Sequence, residues 1–284
     1  MRKVFFMAAF ILTFLPFGEV FSATPFISFT PEAPQQGEPV MIVIENAKLS
    51  DIQKATLEGR MIKLFSYNNK PTAFYGIDII RKLPKYEVVV TFKDGSSVKR
   101  LLKVVERKKV EEVFSIPKKL GGDTLVSQKN LVTSLAQENA ILNKISTSQK
   151  IYWTNKFTAP LKEMVVTDKF GYSRNTGGYV LTHKGTDLRA SEGTKVFAMN
   201  DGLVKVVSEG RNYGKTIVID HGLGVMTFYL HLSKINVKEG EMVKQGQLIG
   251  LSGQTGYAAA PHLHLSIRIY NISIDPMKFI ELFK

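Results

Sequence analysis

Polar and apolar side chains alternate without a break along residues 261–269, PHLHLSIRI. Neighbouring side chains of a β-strand point to opposite faces, so this pattern fits a strand and no helix. His262, His264, Ser266 and Arg268 fall on one side, and Leu263, Leu265, Ile267 and Ile269 on the other. A strand with one wholly apolar face must lie in a sheet, and here the other face presents two imidazoles from a rigid support. The same alternation through VMTFYLHL places Tyr229 with His231 and turns Met226, Phe228 and Leu230 to the core. Both strands are therefore expected to offer their histidines away from the core.

All five histidines of the chain lie between positions 183 and 264. His183 and Asp187 stand four apart in THKGTDLRA, and His231 sits near the end of a strand-like run; His221, in IDHG, reads as a turn or supporting residue. The chain has no cysteine, so a metal held here must use nitrogen and oxygen. Structural zinc sites close four protein ligands, usually with cysteine, whereas catalytic sites use three and leave a position for water. Two histidines and a carboxylate match the second pattern. Zinc lowers the pKa of its bound water from 15.7 to about 7, worth roughly 12 kcal/mol toward attack at neutral pH. The helical HExxH motif with its glutamate base is absent. The remaining imidazoles are therefore the groups available for proton transfer and oxyanion stabilisation.

Residues 1–22 read as a secretory signal peptide, with Arg2 and Lys3 followed by an apolar run from Val4 to Phe17. That run is shorter than the ~20 residues that span a bilayer, so cleavage after Ser22 is expected rather than anchoring. No second stretch is long enough to insert stably in a membrane. The formal charge of +13 is spread along the chain, without an Arg-rich helix or aromatic RNA-binding motif. Export makes nucleic acid a poor partner, and the charge suits anionic material outside the cytoplasm, such as cell-wall polymer.

The predicted fold is mainly β. Short β-branched and aromatic runs between turns, including the Asp94-Gly95 hairpin signal, predict an immunoglobulin-like β-sandwich over 23–107. This module carries no catalytic set and reads as a spacer or substrate-positioning unit. Residues 108–150 form a linker: 106–119 is expected to be exposed, and Leu131, Leu135, Leu142 and Ile145 recur at helical spacing, predicting an amphipathic helix over 123–148. A lone helix of this length is marginal in water, so it should lie against a neighbouring domain. From 151 to 284 the texture is glycine-dense β, an antiparallel domain large enough for its own core.

The order of motifs in this last segment resembles the lysostaphin-like zinc endopeptidases, a family of peptidoglycan hydrolases. The resemblance runs from Phe157 to Phe279 through FTAPL, FGYSR, THKGTDLRA, GTKVFAMNDGLV, YGKTIVIDHGLGVMTFYLHLS, VKEGEMVKQGQLIGLSGQTG, PHLHLSIRI and DPMKF. The segment before it is also similar to the N-terminal module of some exported members. The resemblance implies zinc ligands at His183, Asp187 and His264, catalytic histidines at His231 and His262, and a periplasmic or cell-envelope peptidase cutting peptidoglycan cross-links or stem peptides. Many members follow the HLH motif with an aromatic and an acidic residue, where this chain has Leu265 and Ser266; the run before it reads YAAAP. Both departures are expected to reshape the substrate groove without touching a ligand. Two other readings remain: a non-catalytic wall-binding or amidase-activating module of the same fold, and a carrier domain of lipoyl or biotinyl type, whose turns VKEGEMVKQGQLIG resembles. The complete ligand set argues against the first, and export and the histidines against the second.

Overall fold

A computed structural model describes residues 23–80, 86–113, 115–116, 118, 121–153, 155–176 and 178–283. The expected signal peptide lies outside the described residues. The architecture is mainly β, as the sequence predicts, with antiparallel sheets dominating.

The first part holds β1 (Phe26–Thr30), β2 (Pro39–Glu45), β3 (Ile52–Leu57), β4 (Arg60–Met61), β5 (Phe65–Tyr67), β6 (Lys70–Gly76), β7 (Tyr86–Phe92) and β8 (Ser97–Leu102). They form two four-stranded sheets, ordered β1-β2-β6-β5 and β4-β3-β7-β8, which enclose a core that includes Val40, Ile42, Ile44, Val88 and Val90. The Asp94-Gly95 turn joins β7 to β8, with Gly95 at a φ of 86° that favours glycine.

Most described residues of the 106–119 segment, expected to be an exposed linker, are exposed, but Ile116 is buried and the segment is not free. Glu111–Val113 forms β9, which pairs in parallel with β11 (Ser173–Asn175) of the second part. Helix α1 covers Leu125–Leu142, within the predicted 123–148, and Thr124 caps it by accepting from the Ser127 amide at 3.1 Å. It buries Leu131 and Leu142.

The second part contains β10 (Val166–Asp168), β11, β12 (Val180–Thr182), β13 (Thr186–Arg189), β14 (Lys195–Phe197), β15 (Gly202–Gly210), β16 (Gly214–Gly222) and β17 (Val225–Leu232). Then follow β18 (Lys234–Ile235), β19 (Met242–Val243), β20 (Leu248–Leu251), β21 (His262–Ile269) and β22 (Ile272–Ile274). Its main sheet runs β10-β13-β21-β17-β16-β15-β19. One face covers the larger core, and α2 (Pro276–Glu281) closes the chain, with Asp275 capping it ahead of a proline in the first turn. Phe65 and Phe74 of the first part enter this same core, where Trp153, Phe279 and Phe283 meet them at centroid distances of 5.7–6.2 Å, and Phe157 packs behind on Phe279 at 4.9 Å.

The alternation proposed for VMTFYLHL is reversed. Leu230, Phe228 and Met226 lie directly opposite His264, Ser266 and Arg268, and directly opposed residues share a face. Those three apolar residues therefore stand on the histidine side, where Leu142 of α1 covers them. Tyr229 is wholly buried in the main core, its hydroxyl accepting from the Met199 amide at 3.1 Å. His231 nevertheless reaches the histidine side, because the strand bulges there. Lys215 pairs with Leu232 and Ile217 with Tyr229, leaving Leu230 and His231 opposite a single residue, and His231 has a φ of 61°. A bulge of this kind re-aims one side chain.

Candidate metal centre

β13 and β21 are antiparallel neighbours, with Asp187 opposite His264 and Arg189 opposite His262. That register places a carboxylate and two imidazoles on one face. His183 joins them from the loop before β13, and the bulge delivers His231 from β17. The structure thus gathers all five sequence-predicted site residues, while His221 lies apart. His221 is fully buried in β16, between the Asp201 carbonyl and the Thr227 hydroxyl at 2.8 Å each, edge-on to Phe157.

Three donor atoms form a triangle. His183 Nε2 is 3.3 Å from Asp187 Oδ1 and 3.2 Å from His264 Nδ1, and the latter two are 2.7 Å apart. A tetrahedral set with bonds of ~2.0–2.1 Å has edges of about 3.3 Å, so the triangle fits one small divalent ion. These residues could hold zinc, and their nitrogen and oxygen donors are of the right type.

Each imidazole is aimed by its other nitrogen. His183 Nδ1 donates to the Lys169 carbonyl (2.9 Å), His231 Nδ1 to the Thr255 carbonyl (2.9 Å), and His262 Nδ1 to the Ala260 carbonyl (2.8 Å). A carbonyl only accepts, so in all three rings Nδ1 carries the hydrogen and Nε2 keeps a lone pair facing the site. His264 is reversed. Its Nε2 lies 3.0 Å from the Ser266 hydroxyl, which donates onward to the Lys184 carbonyl at 2.9 Å. The hydroxyl therefore accepts from Nε2, and Nδ1 is left free to bind. This corrects the expectation that the Ser266 departure touches no ligand.

Arg174 is a second residue that the motif reading passed over, although it stands in FGYSR. Its guanidinium pairs with Asp168 and lies 2.9 Å from Asp187 Oδ2, leaving Oδ1 to the nitrogens. Gly185 allows the loop to approach, since a Cβ there would collide with the His264 ring and the Ser266 hydroxyl.

The charge states of Asp187 and His264 suit a metal. Burial works against ionised Asp187, but His264 and His183 outweigh it and hold the carboxyl well below its usual range. Burial lowers His264 to about 4, and burial with repulsion from His264 and His262 lowers His231 to about 3, so both are neutral near pH 7. For His183, hydrogen bonds to Asp168 and Asp187 overcome burial and raise the pKa.

Two grooves flank the cluster. One, of about 420 Å³, runs beneath α1 past Phe228 and Leu230 to Arg268. The other, of about 330 Å³, passes His262, Arg189 and the 257–261 segment. A β-sheet face carrying a two-histidine, one-carboxylate triangle, with further imidazoles beside it and open grooves on both sides, defines the class as a metal-dependent hydrolase centre.

Comparison with known proteins narrows the class. The model of peptidase family M23 matches residues 181–276. The peptidoglycan DD-endopeptidase ShyB of Vibrio cholerae is 44% identical over 101 residues, covering 36% of this chain and 24% of that protein. The catalytic domain of lysostaphin from Staphylococcus simulans is 34% identical, over 42% of this chain and 92% of that domain, with a TM-score of 0.38. A crystal structure described as a peptidase M23 from Pseudomonas aeruginosa has a TM-score of 0.62 at 23% identity, covering 87% of this chain and 95% of that one. That last likeness shows a shared fold across both parts. Residues 181–276 belong to peptidase family M23. The chain spans about a quarter of the length of the curated relatives it matches.

Proposed function

We propose that this chain is an exported zinc endopeptidase that hydrolyses peptide bonds in peptidoglycan cross-links or stem peptides, with its catalytic part in residues 151–284. The observation that carries the reading is the convergence of four imidazoles and Asp187 on one point, each ring locked from behind. Relatives named as peptidoglycan endopeptidases support the substrate class. The basic chain suits an anionic wall polymer outside the cytoplasm. No helix among the described residues is long and apolar enough to cross a membrane.

In this reading His183, Asp187 and His264 hold the zinc, which when bound supplies a Lewis acid and a nucleophile at neutral pH. Arg174 keeps Asp187 oriented through Oδ2. His231 and His262, whose rings are 4.8 Å apart, hold and pass protons through their free Nε2 atoms and stabilise the developing oxyanion. Neutral His231 can accept a proton as it stands.

The test is mass spectrometry of muropeptides before and after digestion by the zinc-loaded protein, with and without chelator. Chelator-sensitive cleavage of a peptide bond is expected. An unchanged muropeptide profile in the presence of bound zinc would return the chain to a wall-binding or amidase-activating role.

A further inference from the structure

Arg189 is the one residue of β13 that combines exposure with a charge on the site face. It lies two positions beyond Asp187, on the same side of the strand, and directly across from His262. Its backbone amide is used, donating to the Val165 carbonyl at 2.8 Å. Its guanidinium makes no ion pair among the described residues, whereas Arg174, the other guanidinium of the same groove, is tied to Asp168 and Asp187. A peptide laid across the ligand triangle and His262 must therefore pass beneath an unpaired planar cation about 7 Å along the strand from Asp187, at 3.3–3.4 Å per residue. Such a fork matches a carboxylate in two-point geometry.

We propose that Arg189 is a specificity residue that binds a free carboxylate on the substrate residue adjoining the scissile amide. This rests on the peptidase reading and sharpens it to a substrate class. A direct cross-link releases the amine of a diamino acid whose own carboxylate sits one carbon from the nitrogen. A terminal D-amino acid offers the same arrangement. A glycine bridge offers only further amides. The groove therefore selects the first two and disfavours the third.

The experiment compares wild-type protein with Arg189→Ala and Arg189→Lys, all zinc-loaded, on paired cross-linked peptides in which that carboxylate is either free or a carboxamide. Wild type is expected to prefer the acid about 10- to 100-fold in kcat/KM, mostly through KM. Arg189→Ala should lose that preference, Arg189→Lys should keep part of it, and zinc content should stay constant. Calorimetric binding of the product acid and amide should show the same split without turnover. Equal handling of acid and amide by wild type, or a preference that survives in Arg189→Ala, overturns the assignment. Zinc-loaded protein that binds the acid through Arg189 yet hydrolyses neither peptide overturns the peptidase reading and leaves this one standing.

Discussion

The Ser266 hydroxyl stands 3.0 Å from Nε2 of His264 and hands its own hydrogen to the Lys184 carbonyl. This contact decides which nitrogen of His264 is free. Losing such a partner typically costs 10- to 100-fold in metal affinity. Ser266→Ala should therefore bind zinc about tenfold or more weakly in a chelator competition while keeping its fold. Ser266→Thr, which retains the hydroxyl, should recover most of the loss. Identical affinities in all three proteins would remove Ser266 from the site.

His231 separates metal holding from proton handling. Its Nε2 faces the cluster, but the atoms of the triangle come from His183, Asp187 and His264. His231→Ala is expected to retain one zinc per chain and lose 10²- to 10⁴-fold in kcat, the usual worth of a positioned acid-base group. His264→Ala should lose zinc and activity together. Full muropeptide cleavage by a zinc-free His264→Ala protein would sink the assigned chemistry.

The contrast between these two histidines marks what the sequence can reveal. His262 and His264 are legible because strand alternation is local, and the HxH spacing alone puts both on one face. His183 and Asp187 reach the cluster from a loop and a neighbouring strand, and only the motif order links them to it. The side taken by His231 depends on a bulge set by β16, a non-local pairing that no alternation reveals, so VMTFYLHL reads backwards. Backbone partners such as the Thr255 and Ala260 carbonyls carry no side-chain signal. The short α2 is missed, because 151–284 reads as strands throughout, although Asp275-Pro276 is a cap followed by a proline at the first helical position.

Helix α1 is clamped over the groove through Glu138. Its carboxylate accepts from the Asn212 amide (2.8 Å), the Asn212 side chain (2.7 Å) and the Tyr213 amide (3.1 Å), while Arg268 reaches back to Asn139 and Asn143. Removing the carboxylate should loosen the helix by about 2 kcal/mol, roughly a 30-fold shift toward an open groove. Glu138→Ala is expected to raise kcat/KM on long cross-linked substrates by up to that factor and to speed protease cleavage within 125–142. Zinc content should not move. Unchanged turnover with faster proteolysis would mean that substrate reaches the zinc with α1 in place.

His221 provides a pH test far from the chemistry. Burial lowers its pKa to about 4, against an ordinary value of 6.5 in the unfolded chain. Between these values the unfolded state binds a proton that the folded state refuses, so stability falls as pH drops from about 6.5 to about 4. Above that window the group has no effect on the slope, and below it the loss is complete, at about 3 kcal/mol. Neutral His221 gives its Nδ1 hydrogen to Asp201 and accepts from Thr227 at Nε2, and protonation breaks the second bond. His221→Gln should be less stable than wild type at pH 7.5, since it loses the ring packed on Phe157. Its deficit should shrink, and can reverse, by pH 4.5 in urea unfolding, because glutamine has no proton to take up. A deficit that stays constant across this range would show that His221 does not titrate in the window, and would place the acid lability in the metal-site histidines instead.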